Sequence, residues 1–398
     1  MHLRAKLLGI GVAALAGIPL AVLGPAGASH AAANPAQKTA HSCATSKPGF
    51  ASCKAIVRTD IVQANKVAPN ATPSGYGPSS LQSAYKLPSA TAGAGRTVAI
   101  VDAYDDPTAE ADLGVYRAQF GLPACTTANG CFKKIDQNGG TTYPKKDGGW
   151  AQEISLDLDM VSAICPNCHI LLVEAKTSSF ANLGAAVNRA AATPGVVAIS
   201  NSYGGSDASD ANYGSYYNHP GIAVTASSGD SGYGASYPAS SHYVTAVGGT
   251  TLNTASNTRG WSETAWSGAG SGCSAYNTAL SGAASFGTGC AKRAEADVSA
   301  VANPSTGVAV YDSTAYQGYV GWMVFGGTSV SSPVIASVFA LAGNTGSIDN
   351  NYPYTHASSL FDVTSGSNGS CPTSQWCNAR TGWDGPTGLG TPNGIGAF

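Results

Sequence analysis

The sequence predicts an α/β fold with a mainly parallel central sheet and helices on both faces. Three observations carry this. Short apolar runs, continuous rather than alternating, recur between residues 96 and 252. Such runs suit strands buried on both faces, the condition of a parallel sheet covered by helices. Helix-length stretches separate them, as an α/β order requires. Finally, 50 glycines and only 11% charged residues describe a chain with many tight turns and a surface rich in Ser, Thr, Asn and Tyr.

In chain order, PSSLQSAYKLP (78–88) reads as one or two helical turns, and RTVAIVDAY (96–104) as a buried strand. GWAQEISLDLDMVSAI (149–164) is a helix, HILLVEA (169–175) a strand and FANLGAAVNRAAAT (180–193) a helix. GVVAISNSYG (195–204), GIAVTASSGD (221–230) and YVTAVGGTTL (243–252) are further strands. VGWMVF (320–325) is strand-like; two glycines come next, then a helix. Pro333 is placed in the first turn of that helix, where a missing N–H has no helical partner to lose. No internal repeat is visible, and residues 75–398 are expected to form one domain, since α/β folds reach this size. Active sites in such folds lie beyond the C-terminal ends of strands.

The ends of the chain read differently. Residues 1–33 carry Arg4 and Lys6, then an apolar stretch, then small residues. This is the layout of a secretory signal, cut near Ala31 or Ala33. Residues 34–74 are polar and rich in Pro, Ala, Lys and Ser, and read as a short pro-segment or mobile arm. Ten cysteines suit an oxidising compartment. They fall into close pairs, Cys43/Cys53, Cys125/Cys131, Cys165/Cys168, Cys273/Cys290 and Cys371/Cys377, and five local disulfides are the simplest pairing, although spacing does not fix connectivity. A net charge of −2 gives no reason to expect nucleic acid or an anionic membrane as partner. No later stretch is long and apolar enough to span a bilayer. The expected mature protein is secreted, soluble and monomeric.

FGGTSVSSP (325–333) has the form of a nucleophilic serine, Ser329, at a helix start, with the helix dipole favouring negative charge beside it. Thr328 or Ser329 as a plain N-cap is the simpler alternative. A serine hydroxyl needs a base, and the seven histidines offer no obvious one. Asp102, at the end of the first strand, sits where a histidine-dependent hydrolase would keep its aspartate, so a reading with an unplaced histidine stays open.

The helix at 149–164 supplies another base. On a wheel of about 100° per residue, Trp150, Ile154, Leu156, Leu158, Met160, Val161, Ala163 and Ile164 form one apolar arc. Gln152, Ser155, Asp159 and Ser162 lie opposite, and Asp159 reads as an ordinary solvated residue. Glu153 and Asp157 fall near the middle of the apolar arc, one above the other. Buried carboxylates are costly unless paired or neutralised, so two together share a proton or bind a cation. A third carboxylate, Asp230, comes after a buried strand in ASSGDSGYG (226–234); alone it would read as a turn aspartate.

Taken together, GGTSVSSP, the Glu-Ile-Ser-Leu-Asp helix and SSGDSG resemble the sedolisins, or serine-carboxyl peptidases, over roughly residues 75–398. The resemblance implies a subtilisin-like fold and a secreted endopeptidase acting on proteins or peptides. It makes Ser329 the nucleophile, Glu153 the base, Asp157 the residue that orients Glu153 and shares its proton, and Asp230 the oxyanion-site acid. It also implies one calcium site, with Asp362, Asp384 and the carbonyls of Val363, Arg380 and Gly382 as ligands. Arg380 stands where the family usually has glycine, and the family's usual propeptide is far longer than residues 34–74. A non-catalytic extracellular binding protein on the same fold is the alternative.

Two further motifs have double readings. Cys165-Pro-Asn-Cys168-His169 matches c-type haem attachment, but in a cysteine-paired secreted chain a disulfide is the expected outcome. Ser202-Tyr203-Gly204, at a strand end, either closes that strand or binds an extended peptide by strand addition.

Overall fold

A computed structural model describes residues 38–61, 73–344 and 349–398. The signal reading of residues 1–33 lies outside the described residues.

Three short strands come first: β1 (Thr39–His41), β2 (Ser52–Cys53) and β3 (Ile56–Arg58). After them come α1 (Pro78–Ala84), β4 (Thr97–Ala103), α2 (Ala109–Gln119), β5 (Phe132–Asp136) and α3 (Gly148–Ile164). The middle of the chain supplies β6 (His169–Ala175), α4 (Phe180–Ala191), β7 (Val196–Asn201), β8 (Tyr203–Ser206) and β9 (Ala223–Ser227). Next are β10 (Thr245–Thr254), β11 (Trp261–Ala265), β12 (Val298–Val301), β13 (Val308–Tyr316), β14 (Tyr319–Gly326) and α5 (Thr328–Ala342).

The central sheet runs β11-β10-β9-β7-β4-β6-β5, with β12 also pairing β10. Every pairing in it is parallel except the antiparallel edge pair β10–β11. Successive side chains of a strand point to opposite faces, so β4 feeds two cores. Val98 and Ile100 join the core that contains α3 and α5; Ala99, Val101 and Ala103 join the core that contains α4. The expectation of a mainly parallel sheet with helices on both faces is met.

The strands and helices read from the apolar runs lie where expected. Three differences have physical causes. First, α5 begins at Thr328, so Pro333 lies inside the helix rather than in its first turn. Second, the polar side of α3 is not solvated: Asp159 is buried. A wheel assigns polar residues to water, but here α2 and β13 pack over that side. Asp159 Oδ2 accepts from Tyr311 N at 3.0 Å, and Ser162 Oγ accepts from Arg117 Nη1 at 2.9 Å. Third, residues 38–61, read as part of a mobile arm, are ordered. β3 pairs with β14 in a sheet of order β1-β3-β14-β13, and β2 pairs with β8. Val57 and Ala55 join the core, so apolar burial and strand pairing anchor a segment whose composition reads as polar. α2, β5, β12 and β13 have no counterpart among the elements read from the sequence.

All five disulfides join the expected neighbours: Cys43–Cys53, Cys125–Cys131, Cys165–Cys168, Cys273–Cys290 and Cys371–Cys377. With Cys165 and Cys168 bonded to each other, the haem reading of that motif falls. No helix among the described residues is long and apolar enough to cross a membrane.

α5 is the centre of one core, and its Ile335 is fully buried. Ile335→Ala should lower the unfolding free energy by about 2–5 kcal/mol, as large-to-small core changes do. Urea unfolding monitored by circular dichroism checks this; a loss under about 1 kcal/mol would contradict tight packing there.

Candidate active site

Ser329 sits in the first turn of α5. Gly327 precedes the helix at φ 96°, a left-handed conformation that glycine adopts without strain. A Cβ there would lie 1.8 Å from Lys54 O, so a side chain is excluded on contact as well. Pro333 has no N–H to offer the Ser329 carbonyl four residues back, and the hydroxyl of Ser202 approaches that carbonyl at 3.4 Å instead. Ser329 Oγ donates to Ser202 O at 3.2 Å.

Asp230 lies three residues past the end of β9 and caps α5 from outside. Its Oδ1 accepts from Thr328 N at 2.7 Å and Thr328 Oγ1 at 2.9 Å. Thr328 is therefore held by Asp230 rather than acting as a cap. A carboxylate at a helix N-terminus meets positive partial charge, which explains this docking. Its second oxygen, Oδ2, is buried and unpartnered.

α3 delivers Glu153 and Asp157 on its inward side, and both are fully buried. Glu153 Oε2 accepts from Ala55 N at 2.9 Å. Its Oε1 has no partner in direct hydrogen-bonding geometry, although the Ser329 hydroxyl is close enough to favour the ionised carboxylate. Asp157 Oδ1 accepts from Ser202 Oγ at 2.8 Å.

A fourth carboxyl completes the group. Asp102, at the C-terminal end of β4, is fully buried, and neither of its oxygens has a partner. Burial pushes Asp102 up to about 8. Burial, then the neighbouring Asp102, holds both Glu153 and Asp157 well above the usual carboxylate range. Contact with Glu153 adds to this at Asp157 and further favours its protonated form. Burial also raises Asp230, against the opposing pull of Lys54. Desolvation thus favours the protonated forms throughout this cluster.

Ser329, Glu153, Asp157 and Asp230, expected to act together, are gathered at one place. Asp102 joins them as a member of the acid cluster and not as the partner of a histidine. His219 contacts Tyr216 O, His242 contacts Thr278 O, and His356 contacts Tyr352 O. His41 approaches Asp230 rather than the serine. Sequence reasoning missed Ser202 as the bridge between Asp157 and Ser329. It also missed that Lys54 and Ala55 cover the site. The signal was present: a cysteine pair beside the apolar Ala55-Ile56-Val57.

Two of the candidate calcium ligands, Asp362 and Asp384, face the loop that carries Arg380 and Gly382. Asp362 Oδ2 accepts from Gly382 N at 2.9 Å, and Asp384 Oδ2 accepts from Arg380 N at 3.1 Å. Both carboxylates therefore turn on the loop 380–384. Burial, helped by the charge of Asp362, pushes Asp384 up to about 7.

A serine at a helix start is thus faced by buried carboxyl groups on a parallel α/β sheet. The chain belongs to the subtilase family, which it matches over residues 140–356, and within that fold to the sedolisins, the serine-carboxyl branch. It is 29% identical to kumamolisin of a Bacillus species over 373 residues, 82% of this chain and 63% of that protein. It is 34% identical to sedolisin of a Pseudomonas species over 177 residues, 40% of this chain and 29% of that protein. The solved structure of Pseudomonas sedolisin, a serine-carboxyl proteinase complexed with two molecules of pseudo-iodotyrostatin, superposes with a TM-score of 0.68 at 27% identity. That match covers 81% of this chain and 96% of the solved one. The chain thus spans 63% of the length of kumamolisin.

The buried acids predict how stability depends on pH. Asp102 and Asp312 each rise from 3.8 to about 8 through burial, so the folded state holds their protons more tightly than the unfolded chain. Their contribution is complete below about pH 4 and is lost as pH rises through 8. The thermal midpoint should be higher at pH 4 than at pH 8 by scanning calorimetry; the reverse order would contradict the burial of these groups as acids.

Proposed function

We propose that this chain is a secreted serine-carboxyl endopeptidase that hydrolyses peptide bonds of proteins through an acyl-enzyme, best in acid. One observation carries the reading: the Ser329 hydroxyl lies beside Glu153 in a fully buried site, where burial favours the protonated form of Asp157. Glu153 takes the proton of Ser329 as the hydroxyl attacks a carbonyl carbon. Asp157 stabilises the charged form of Glu153 by hydrogen bonding to it, and Ser202 holds Asp157 in place. Asp230, when protonated, donates to the negative oxygen of the tetrahedral intermediate; a neutral acid kept as a donor by an apolar site has a parallel in ketosteroid isomerase. Glu153 then passes the proton to the leaving amine, and water repeats the cycle on the ester. Five disulfides suit an extracellular setting, and residues 1–33 are read as the export signal.

Calcium fits the loop at 380–384. Asp384 is a buried carboxyl whose proton a divalent cation would replace, and Asp362, from a separate segment, supplies a second carboxylate beside Gly382. Those two residues and the carbonyls of Val363, Arg380 and Gly382 would hold the ion, since calcium prefers such oxygens. Bound there, it would staple the loop and take no part in hydrolysis. A chelator should lower the thermal midpoint, and added calcium should restore it; a midpoint indifferent to both would remove the calcium site.

Digestion of a denatured protein at pH 4 tests the enzyme reading. Ser329→Ala and Glu153→Gln should each lose roughly 10⁴–10⁶ in kcat/KM, and Asp230→Ala roughly 10²–10³. Activity should fall from pH 4 to pH 8 as Asp157 and Asp230 lose protons. Equal activity at pH 8 would overturn the acid claim, and survival of Glu153→Gln would point to another base. An inert wild type would favour the non-catalytic binding reading.

A further inference from the structure

Three buried acids take no part in the chemistry above. Asp106 lies in the loop after β4, Asp112 in the first turn of α2 and Asp312 on β13. Each brings a carboxylate oxygen within 4.8 Å of the other two.

The groups that donate to them are neutral. Asp106 Oδ1 accepts from Thr108 N at 3.1 Å, with Thr108 Oγ1 at 3.0 Å. Asp112 Oδ2 accepts from Ser313 N at 2.9 Å and Ser313 Oγ at 3.0 Å, with Thr108 Oγ1 at 2.7 Å. Asp312 Oδ1 accepts from Thr314 N at 2.6 Å. The Thr314 hydroxyl lies 3.3 Å from Asp106 Oδ1 and 3.1 Å from the Thr108 hydroxyl. Among the described residues none of the three acids forms an ion pair. Lys134 donates to the Asp106 carbonyl at 2.7 Å, but its charge pairs with Asp105 and Glu174. Lys146 acts on Asp312 from beyond ion-pair distance.

Two observations beyond the clustering point to a ligand. Asp106 Oδ2 and Asp312 Oδ2 are buried, and nothing donates to either. Asp159 Oδ1, on α3, is a further buried oxygen in the same condition, and Asp159 is close enough to Asp112 and Asp312 for their charges to interact. Buried carboxylates need a proton or a cation. A shared proton bridges two of them. Three converge here, and a single cation can answer all three.

We propose that Asp106, Asp112 and Asp312 form a calcium site, separate from the loop at 380–384, with the Thr108 and Thr314 hydroxyls as neutral oxygens beside it. The donors are all oxygens, the set that hard cations prefer. Two oxygens on one calcium lie up to about 5 Å apart, twice a Ca–O distance of about 2.3–2.6 Å. A spread within 4.8 Å therefore requires no movement of the three acids. The ion would join the β4–α2 loop to β13. β13 pairs with β14, and β14 leads into α5 and Ser329. Calcium here would brace the strand pair that delivers the serine.

Calorimetric titration of the full chain with calcium chloride, after chelator treatment and at pH 7.5, tests this. Asp362→Asn with Asp384→Asn removes the other candidate site. That double variant should still bind one calcium, and about 5 mM calcium should raise its thermal midpoint by roughly 2–4 °C or more. Adding Asp312→Asn or Asp106→Asn, with circular dichroism unchanged, should abolish both the binding and the rise. If the double variant does not fold, wild type should bind one calcium more than Asp312→Asn. A folded double variant that binds no calcium overturns the proposal and leaves the three acids as proton-sharing groups. Binding that survives both Asp312→Asn and Asp106→Asn overturns it as well.

Discussion

Removal of water from four carboxyl groups is the constraint on which the rest depends. Asp102, Glu153, Asp157 and Asp230 come from β4, α3 and the loop after β9, and all have raised proton affinities because burial disfavours their charged forms. In water these would be four anions repelling one another. In the core burial favours their protonated forms. The parallel sheet makes this possible, because it brings the C-terminal ends of β4 and β9 to the same edge, and α3 and α5 pack against each other above it. Without that enclosure Ser329 would be a helix-start serine with no carboxyl group beside it.

The same enclosure explains Ser202. It comes directly after β7 and is buried between α3 and α5. Its hydroxyl reaches Asp157 while its carbonyl receives Ser329 and Lys54. One residue therefore sets the distance between the serine, the acid pair and whatever strand lies along β8. At Ser202-Tyr203-Gly204 β7 ends, as the plain reading expects, and the chain's own β2 pairs with β8 there.

Much of the fold was legible because a two-sided buried strand leaves a continuous apolar run, and β4, β6, β7, β9 and β10 each left one. Glu153 and Asp157 were legible for a related reason: carboxylates stood out against an apolar arc. Asp159 failed the same wheel. A wheel describes a helix with one wet side, whereas α3 is covered on every side, so its polar residues find protein partners instead of water. α2 and β13, which cover it, left weaker signals. Arg117 and Asp112 look solvated in sequence, yet both are buried, Asp112 with Thr108 and Ser313 as partners.

By itself the sequence determined the class of fold, a simplest pairing of the cysteines, and the residue types and order of the candidate site groups. These arise from local periodicity and from short separations along the chain, which a linear reading can see. Only the tertiary structure decided that Asp102 is an acid among acids, that Ser202 links the two halves of the site, and that Lys54 and Ala55 lie across it. Each of those depends on contacts between residues far apart in sequence, such as Ala55 with Glu153. Their proton affinities depend on how much water the whole fold excludes, a property no single segment carries.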